Sequence, residues 1–371
     1  MSVAAGPNVV ASGLALEYDM SNTRRSWMGM PTTNLAAFDV AVNGFNTDTP
    51  ANLTQTSNSS EATYQGRLSR KMVVGAGYWN SYIYSYNTGV SSTVFAVSFK
   101  VKVNDGSHPN AFMSGGYIYG SAGNTYPALT FQLIDDGWYL ASCTYSGASM
   151  TLNSLTGMNG SSPGAKTFYI VDYQAEAQTF ASPFVIGTRT NTQALIDLAG
   201  NYTLTADGLT YNSDNTFTFN NGIVSSSLPA QTVANSTLEA ILYDTKASGY
   251  RSIIQINNNS DDALYIFPVS NFLGFWPDNS STLPVPANQW VYVAASYNGS
   301  SITYCVNDSI QVVPGVAADF TDYQFFRVGG ISAADSERFG GKIAVTRMYN
   351  RALSSAEIAQ NFNALRSRYG I

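Results

Sequence analysis

Short stretches in which apolar and polar residues alternate recur along the chain, and this pattern constrains the fold more than any other feature. A period of two predicts strands that bury one face against a core. Further strands are predicted in LTFQLI, GWYLASCTY and KTFYIVDYQAE, which are separated by Gly, Asn, Ser and Pro residues. Repeated short strands of this kind predict an all-β fold of two tandem β-sandwich domains. In the clearest stretch, TVFAVSFKVKV (93–103), the residues on the apolar face are Phe95, Val97, Phe99, Val101 and Val103.

The last 33 residues contain a single helical pattern. Ser354 and Glu357 have the spacing of a capping box, and Gly370 is placed to end the helix. The sequence therefore predicts a helix over 354–369 whose role is to cover the second sandwich. Its apolar stripe consists of Ile358, Phe362 and Leu365.

The length of 371 residues exceeds what one core usually serves, so two main domains are expected. Turn residues and one short apolar run, GLALEY, predict an N-terminal attachment arm over 1–34. The two predicted domains are residues 35–189 and 190–371, and the pattern of short strands in each predicts a β-sandwich. A hairpin is predicted within 289–308, with Asn298 and Gly299 supplying the positive φ angles of its turn.

Composition excludes several classes of partner. Charged residues make up 11% of the chain and the net charge is −6, so neither nucleic acid nor an anionic membrane is an expected partner. No stretch of 18 apolar residues is present, which argues against membrane insertion. Cys143 and Cys305 are expected to lie unpaired in strands. A hydroxyl-rich surface without a secretion signal is most simply explained by a virus particle released by lysis.

The C-terminal region resembles laminin-G-like, concanavalin A-like domains. The pattern lies in GGKIAVTRMYNRALSSAEIAQNFN, and IDLAGNYTL (196–204) is similar to the opening D-x-S-G-N of that family. This resemblance implies a jelly roll over 190–371. The residues that match the C-terminal pattern are Gly341, Ile343, Tyr349, Arg351, Ala352, Leu353, Ser354, Glu357, Ile358, Asn361 and Phe362.

The middle region is similar to carbohydrate-binding-module-like, galactose-binding-like jelly rolls. STVFAVSFKVK, DDGWYLASCTYSG and KTFYIVDYQAEAQTFASPFVIGTR resemble strands of that family. Leu140 stands where the family commonly has a basic residue, and Gln178 where it commonly has glycine. The start of the chain, AAGPNVVASGLALEYDMSNTRRSWMGMPTTNL, resembles the start of bacteriophage virion proteins.

Exposed aromatic rings beside amides and hydroxyls are the residue types that bind sugars. In GGYIYGSAGNTYP (115–127) and LGFWPDNSS (273–281), two interpretations stay open: a glycan-binding surface, or rings buried in a core or subunit interface. The candidate glycan-binding residues are Tyr117, Tyr119, Tyr126, Asn124 and Trp276.

No cofactor is expected, although a structural calcium ion is a candidate because laminin-G-like domains often hold one. The alternative is that these carboxylates lie in solvated turns, since no ordered D-x-D-x-D-G loop is present. The candidate calcium ligands are Asp261, Asp262, Asp335 and Glu337.

Catalytic chemistry is not expected. Glycoside hydrolysis needs two carboxylates across a cleft, and the sequence has no alternating carboxylate string. The single histidine, His108, lies in a predicted loop, so no local Ser/His/Asp or metal site is indicated.

These observations predict a structural protein on the virion surface, either a capsid-attached fibre or decoration protein or a tail-fibre component. Its expected partners are other virion proteins, through the N-terminal arm, and host-surface glycans. A homo-oligomer is expected, with a trimer favoured. The alternatives are a dedicated glycan-binding adhesin and, more remotely, a glycan-degrading enzyme.

Overall fold

Strands dominate the computed structural model of the chain. It describes residues 8–23, 25–35, 46–47, 53–75, 83–84, 90–113, 118–120, 123–125, 127–155, 165–213, 216–220, 222–231, 235–246, 248–256, 263–268, 270–276, 279–315, 323–330 and 337–371. The predicted all-β class with one C-terminal helix is confirmed.

The chain divides into two compact units. One, which we call the inserted unit, is Pro31–Arg189; the other, the discontinuous unit, joins Met1–Met30 to Thr190–Ile371. The backbone N–H of Met28 donates to the carbonyl of Ala194 (2.9 Å). The two segments of the discontinuous unit that flank the inserted unit in the chain are therefore hydrogen-bonded to each other. Residues 1–34 were expected to form an attachment arm, whereas in the structure Met1–Met30 belongs to the same unit as the C-terminus.

The strands are short and, where they pair, antiparallel. The first strand of the discontinuous unit is β1 (Leu14–Asp19). The inserted unit contains β2 (Thr32–Thr33), β3 (Asn46–Thr47), β4 (Leu53–Tyr64), β5 (Arg67–Val74), β6 (Ile83–Tyr84), β7 (Ser91–Val103), β8 (Ile118–Gly120), β9 (Gly123–Thr125), β10 (Thr130–Asp135), β11 (Trp138–Leu155), β12 (Lys166–Glu176) and β13 (Thr188–Arg189). The discontinuous unit continues with β14 (Thr205–Asp207), β15 (Thr210–Tyr211), β16 (Phe217–Thr218), β17 (Ile223–Gln231), β18 (Ser236–Asp244), β19 (Arg251–Gln255), β20 (Ala263–Ile266), β21 (Phe272–Trp276), β22 (Asn279–Pro284), β23 (Trp290–Tyr297), β24 (Ser301–Val306), β25 (Ser309–Pro314), β26 (Tyr323–Val328), β27 (Gly341–Tyr349) and the helix α1 (Ser355–Tyr369).

Two large sheets build the discontinuous unit. One has the strand order β1-β27-β18-β23-β24-β25, and the other has the order β14-β17-β26-β19-β20-β21-β22. Strand β21 of the second sheet contacts β23 and β24 of the first. Alternate residues such as Val293 and Tyr304 in one sheet, and Leu264 and Phe275 in the other, are fully buried. The core of this unit therefore lies between the two sheets, as in a β-sandwich.

One large sheet dominates the inserted unit. Its order is β4-β5-β12-β7-β11-β8-β9, and β10 pairs with β11 outside this path. The predicted apolar face of β7 is confirmed, since its residues from Phe95 to Val103 at alternate positions are all buried in one cluster. Phe112 and Met113, which follow a 3₁₀ turn at Pro109–Ala111, pack into the same cluster.

The C-terminal helix has the predicted signals. Ser354 caps it, Glu357 completes the capping box, and Gly370 ends it in the left-handed conformation (φ 70°). The predicted stripe of Ile358, Phe362 and Leu365 is buried. The Phe362 ring lies 5.7 Å from that of Tyr292 on β23. The helix therefore packs on the six-stranded sheet, as expected.

A buried polar network joins this helix to the N-terminal segment. Asn361 accepts a hydrogen bond from the Val10 N–H (2.7 Å) and donates to Glu239 (2.9 Å). Arg347 forms ion pairs with Glu17 (2.7 Å) and Glu239 (3.6 Å). Burial opposes the charge on Arg347, but the two carboxylates raise the pKa of its guanidinium. Two carboxylates share one cation here, and burial raises the pKa of the more distant one, Glu239.

The loop that carries the D-x-A-G-N motif covers the outer edge of β1. The Asp197 carboxylate accepts hydrogen bonds from four backbone N–H groups, of Glu17, Ala199, Asn201 and Tyr202. Leu198 N–H in turn donates to the Glu17 carbonyl (2.8 Å). A sheet edge exposes unpaired backbone groups that can recruit other strands. The motif therefore protects the first strand of the unit, although the inserted unit, Pro31–Arg189, separates the two in the chain.

Three smaller predictions can be compared with the structure. Cys143 in β11 and Cys305 in β24 are buried and unpaired, as expected, and burial raises the pKa of each thiol to about 12. The hairpin of β23 and β24 is confirmed, but only Gly299 in its turn has a positive φ (91°). Among the described residues, no helix is both long and apolar enough to cross a membrane.

Candidate functional site

The predicted glycan-binding residues are only partly covered by the structure. Tyr117 and Tyr126 lie outside the described residues. Tyr119 and Asn124 face each other as backbone partners in the β8–β9 pair. Trp276 ends β21, where its backbone pairs with Ala263. The side chains of these three residues are not among those described, so the predicted platforms stay predictions.

Of the candidate calcium ligands, Asp261, Asp262 and Asp335 lie outside the described residues. The Glu337 carboxylate accepts a hydrogen bond from the Tyr265 hydroxyl (2.8 Å). Within the described ranges, no group of three or more His, Cys, Asp or Glu side chains is placed to hold a metal ion. The residues that can be tested therefore show Glu337 as a hydrogen-bond acceptor beside an aromatic ring.

Tyr265 belongs to an aromatic cluster on the discontinuous unit, formed with Tyr250 and Phe267. The Tyr250 ring meets the rings of Tyr265 (6.1 Å) and Phe267 (5.7 Å) edge to face. Tyr265 is buried, whereas Tyr250 and Phe267 are half-buried. Part of the surface of two rings is therefore open to solvent, with the Glu337 carboxylate beside the third. We call these three residues the Tyr250 cluster.

A glycine allows the Phe267 ring to lie against the sheet. Gly274 on β21 pairs with Tyr265 on β20. A Cβ atom at position 274 would lie 2.0 Å from the Phe267 ring, which is far closer than any real contact. Any larger residue would push the ring outward. Gly274 thus fixes the ring flat on the outer face of β20 and β21.

A buried arginine and a half-buried lysine tie together the loops that carry the cluster. Arg251 forms an ion pair with Asp244 (3.0 Å) and donates to the Gly249 carbonyl and to the Asn271 side chain. Lys246 donates to the carbonyls of Tyr250 (3.1 Å) and Arg338 (2.9 Å). The loops before β19, between β20 and β21, and before β27 are therefore bound to one another.

Burial dominates the electrostatics of this support. The Asp244 and Arg251 side chains are each 1% exposed. Burial raises the pKa of the Asp244 carboxyl, against the opposing effects of the Lys246 N–H and the nearby cations. Burial likewise lowers the pKa of the Arg251 guanidinium, against the attraction of Asp244. Removing one partner of such a buried pair leaves the other charge without water or a partner and strongly destabilises the fold. The pair therefore stabilises the loops that carry the cluster.

The arrangement suits binding more than bond cleavage. Half-exposed rings present apolar faces, and a neighbouring carboxylate accepts hydrogen bonds from hydroxyl groups. Glycoside hydrolysis would need two carboxylates facing each other across a cleft. The described carboxylates Glu17, Asp172 and Asp244 instead face arginine side chains in ion pairs.

The Tyr250 cluster was not predicted from the sequence, although part of its signal is present there. Leu264 and Ile266 alternate with Tyr265 and Phe267, so the period of two places both rings on the face opposite the core. The position of Tyr250 had no such signal. It depends on contacts of a loop with a strand distant in sequence.

A protein-family model matches the part of the chain that contains the Tyr250 cluster. Residues 197–359 match the model of the family Laminin_G_3, described as the concanavalin A-like lectin/glucanases superfamily. The match covers less than half of the 371 residues and contains all three residues of the Tyr250 cluster. The discontinuous unit therefore has a concanavalin A-like fold. No curated protein matches the chain.

Solved structures give similarities over about half of the chain. The ligand-binding domain of botulinum neurotoxin serotype D in complex with N-acetylneuraminic acid is 16% identical, with a TM-score of 0.36, and the match covers 47% of this chain and 49% of that chain. For domain 4 of AbnA, a GH43 extracellular arabinanase from Geobacillus stearothermophilus in complex with arabinotriose, the identity is 14%, the TM-score 0.36 and the coverage 47% and 93%. The chain spans about half the length of the neurotoxin chains that it matches.

Proposed function

We propose that this protein is a structural component of the surface of a bacteriophage particle and binds host-surface glycans through its concanavalin A-like unit. The observation that carries the glycan part is the Tyr250 cluster, which lies within the residues that match a lectin family. Two partly open rings beside the Glu337 carboxylate offer both the apolar face and the hydrogen-bond acceptor that a sugar ring can use.

The virion part of the proposal is supported by sequence alone. The start of the chain resembles that of phage virion proteins, and a weakly charged, hydroxyl-rich composition suits an exposed particle surface. Attachment to other virion proteins through the N-terminal segment is retained in altered form. Because β1 already pairs with β27 in the same chain, β1 itself is not the strand that would attach.

Several copies on one particle would compensate for a weak single site. Linked sites raise the overall affinity by roughly 10²–10⁴ when geometry allows simultaneous engagement. A homo-oligomer, with a trimer as the favoured state, would supply this multivalency. Mass determination of the full chain in solution tests the state directly, and a monomer at all concentrations would contradict it.

The glycan proposal is tested with the full-length protein on an array of surface glycans from bacterial hosts. Tyr250→Ala and Phe267→Ala are expected to lower binding about tenfold or more, equivalent to the loss of one strong contact. Tyr202→Ala is the matched control, because Tyr202 is a half-buried tyrosine of the same unit outside the cluster. Equal binding by all three variants would place any glycan site elsewhere. Antibody labelling of particles by electron microscopy tests the virion location separately.

A further inference from the structure

The inserted unit carries a second patch of aromatic and apolar side chains, at the edge where β10 pairs with β11. Phe131 and Leu133 lie on β10, and Leu133 is the cross-strand partner of Tyr139 on β11. His108 belongs to the loop that follows β7, just before the 3₁₀ turn. We infer that His108, Phe131, Leu133 and Tyr139 form a binding site for a neutral sugar, separate from the Tyr250 cluster. We call these four residues the His108 patch.

The geometry of the patch leaves apolar surface open to solvent. The His108 ring lies 4.6 Å from that of Tyr139 and 5.7 Å from that of Phe131, in both cases edge to face. Phe131 and Tyr139 pack on one side against the core of the unit and are half-buried. Leu133 is 62% exposed, which is unusual for a large apolar side chain next to a core. The patch is therefore anchored to the core on one side and partly exposed to solvent.

Hydrogen-bonding groups accompany the platform. The Nδ1 atom of His108 accepts a hydrogen bond from the Asn110 N–H (3.2 Å). In the neutral imidazole this assigns the hydrogen to Nε2, which becomes a donor. Among the described residues, neither His108 Nε2 nor the Tyr139 hydroxyl has a hydrogen-bond partner. A donor on the exposed His108 and the hydroxyl of the half-buried Tyr139 therefore lie at the patch, and both are groups that can hydrogen-bond a sugar.

The charge around the patch favours a neutral ligand. No lysine or arginine occurs from 103 to 165. The cations that flank this range are paired, Lys102 with Asp136 (3.0 Å) and Lys166 with Asp105 (2.6 Å). Each of these two lysines already has a carboxylate beside it, which disfavours its pairing with a uronic or sialic acid. A hexose ring needs only the apolar platform and the hydroxyl partners that the patch provides.

The size of the patch also bears on what it binds. Stable protein interfaces use about 20–30 residues on each side, whereas this patch has four. It is separate from the predicted Tyr119 and Asn124 platform, since β11 pairs with β10 up to Ser142 and with β8 only from Leu152 onward. Ten residues of strand correspond to about 30 Å. The two surfaces would therefore contact different parts of a long glycan.

The test uses the fact that His108 is the only histidine of the chain. Full-length protein labelled with ¹⁵N-histidine gives ring signals from one residue, so binding at the patch is observed directly. Neutral hexose oligosaccharides (maltohexaose, cellohexaose and a β-galactan hexasaccharide) are titrated to millimolar concentration, with a hyaluronan hexasaccharide as the acidic comparison. We expect at least one neutral probe, and not the acidic one, to shift the ring signals.

Variants make the result specific. Tyr139→Ala is expected to weaken the binding measured by these shifts about tenfold, and Tyr139→Phe to weaken it less, because the ring remains. Ile186→Ala is the control, since Ile186 is a similarly exposed apolar residue of the same unit (61%). Ring signals that stay unmoved by every neutral sugar, or shifts that Tyr139→Ala leaves unchanged, overturn the inference.

The proposed function and this inference fail in different ways. If sugars bind the protein and Tyr250→Ala abolishes that binding while the His108 signals do not move, only the His108 patch is refuted. If no glycan binds at all, both proposals are overturned. Ring signals that change with protein concentration and not with sugar would show a contact between copies of the chain, which also overturns the inference.

Discussion

The ion pairs of the two units differ in how deeply they are buried. In the discontinuous unit the ion pairs Arg347–Glu239 and Arg251–Asp244 are buried, with every side chain at most 2% exposed. In the inserted unit the cations of the ion pairs are more exposed: Lys100, which pairs with the buried Asp172, is 17% exposed, and in the pair Lys102–Asp136 the carboxylate side chain is 90% exposed. Surface pairs contribute little to stability because water screens them. Buried pairs are costly to break, because a lone charge is then left without water.

This difference has a topological cause. The discontinuous unit must bring the N-terminal strand β1 back to β27 across the whole chain, and Glu17 lies opposite Arg347 in that register. A pairing shifted by one residue would place the Glu17 carboxylate on the other face of the sheet and leave Arg347 without its nearest partner. The buried pairs therefore specify which segments meet. The large sheet of the inserted unit is built from one uninterrupted segment, and there Asp172 on β12, with its side chain 4% exposed, pairs with Lys100 on β7 and with the more exposed Arg67 on β5.

The largest expected effect comes from removing residues 1–30. This variant lacks β1 and Glu17, and it exposes the edge of β27, so the discontinuous unit should lose cooperative folding. Hydrogen exchange measured by mass spectrometry should then show lost protection in 236–349 and retained protection in 91–103 and 166–176. Retained protection in both regions would mean that β1 is an accessory strand and that the C-terminal sheet folds without it.

Breaking the buried pair alone should have a smaller effect. Arg347→Ala leaves Glu17 and Glu239 without their cation and is expected to destabilise the discontinuous unit by about 3–5 kcal/mol. Lys102→Ala removes the surface pair of the inserted unit and should leave its melting temperature unchanged. Thermal unfolding followed by circular dichroism checks both. Similar losses in the two variants would abolish the contrast between the units.

The helix offers an apolar counterpart to the polar network. Phe362 is buried against Tyr292, so Phe362→Ala is expected to cost about 3–5 kcal/mol by leaving a cavity. Val312→Ala in the same unit is the control, because Val312 is 55% exposed. Urea unfolding monitored by tryptophan fluorescence measures the difference. An unchanged midpoint for Phe362→Ala would show that the polar network holds the helix without the stripe.

The smallest expected effect concerns a half-exposed pair at the start of the helix. The hydrogen bond from Arg351, with that from the Ser354 N–H, lowers the pKa of Glu357 from 4.5 to about 2. A lowered carboxyl pKa stabilises the fold at pH above 4.5, and this contribution is lost as the pH falls from 4.5 towards 2. Glu357→Gln should therefore reduce the acid dependence of stability in that window. A variant with the same pH profile as the parent would show that the pair contributes nothing.

Part of the proposed binding surface could be predicted from sequence and part could not. The alternation of Tyr265 and Phe267 with core residues identifies their face, because side chains on a strand alternate by geometry. His108 was assigned correctly to a loop near β7, but its contacts with Phe131 and Tyr139 come from residues more than 20 positions away. The strand β4 was also missed. Its sequence, LTQTSNSSEATY, is mostly polar and lacks the apolar alternation that marks a strand.

What the sequence determined by itself is local. The period of two, the capping box of Ser354 and Glu357, and the stripe ending at Leu365 depend on residues within one turn or one strand of each other. The tertiary structure decided where distant segments meet: that β1 completes a sheet whose other strands follow Thr190, and that Asp197 covers its edge. Such contacts depend on complementary shape and buried charge between segments far apart in the chain. Neither local propensity nor periodicity carries that information, because both are properties of neighbouring residues.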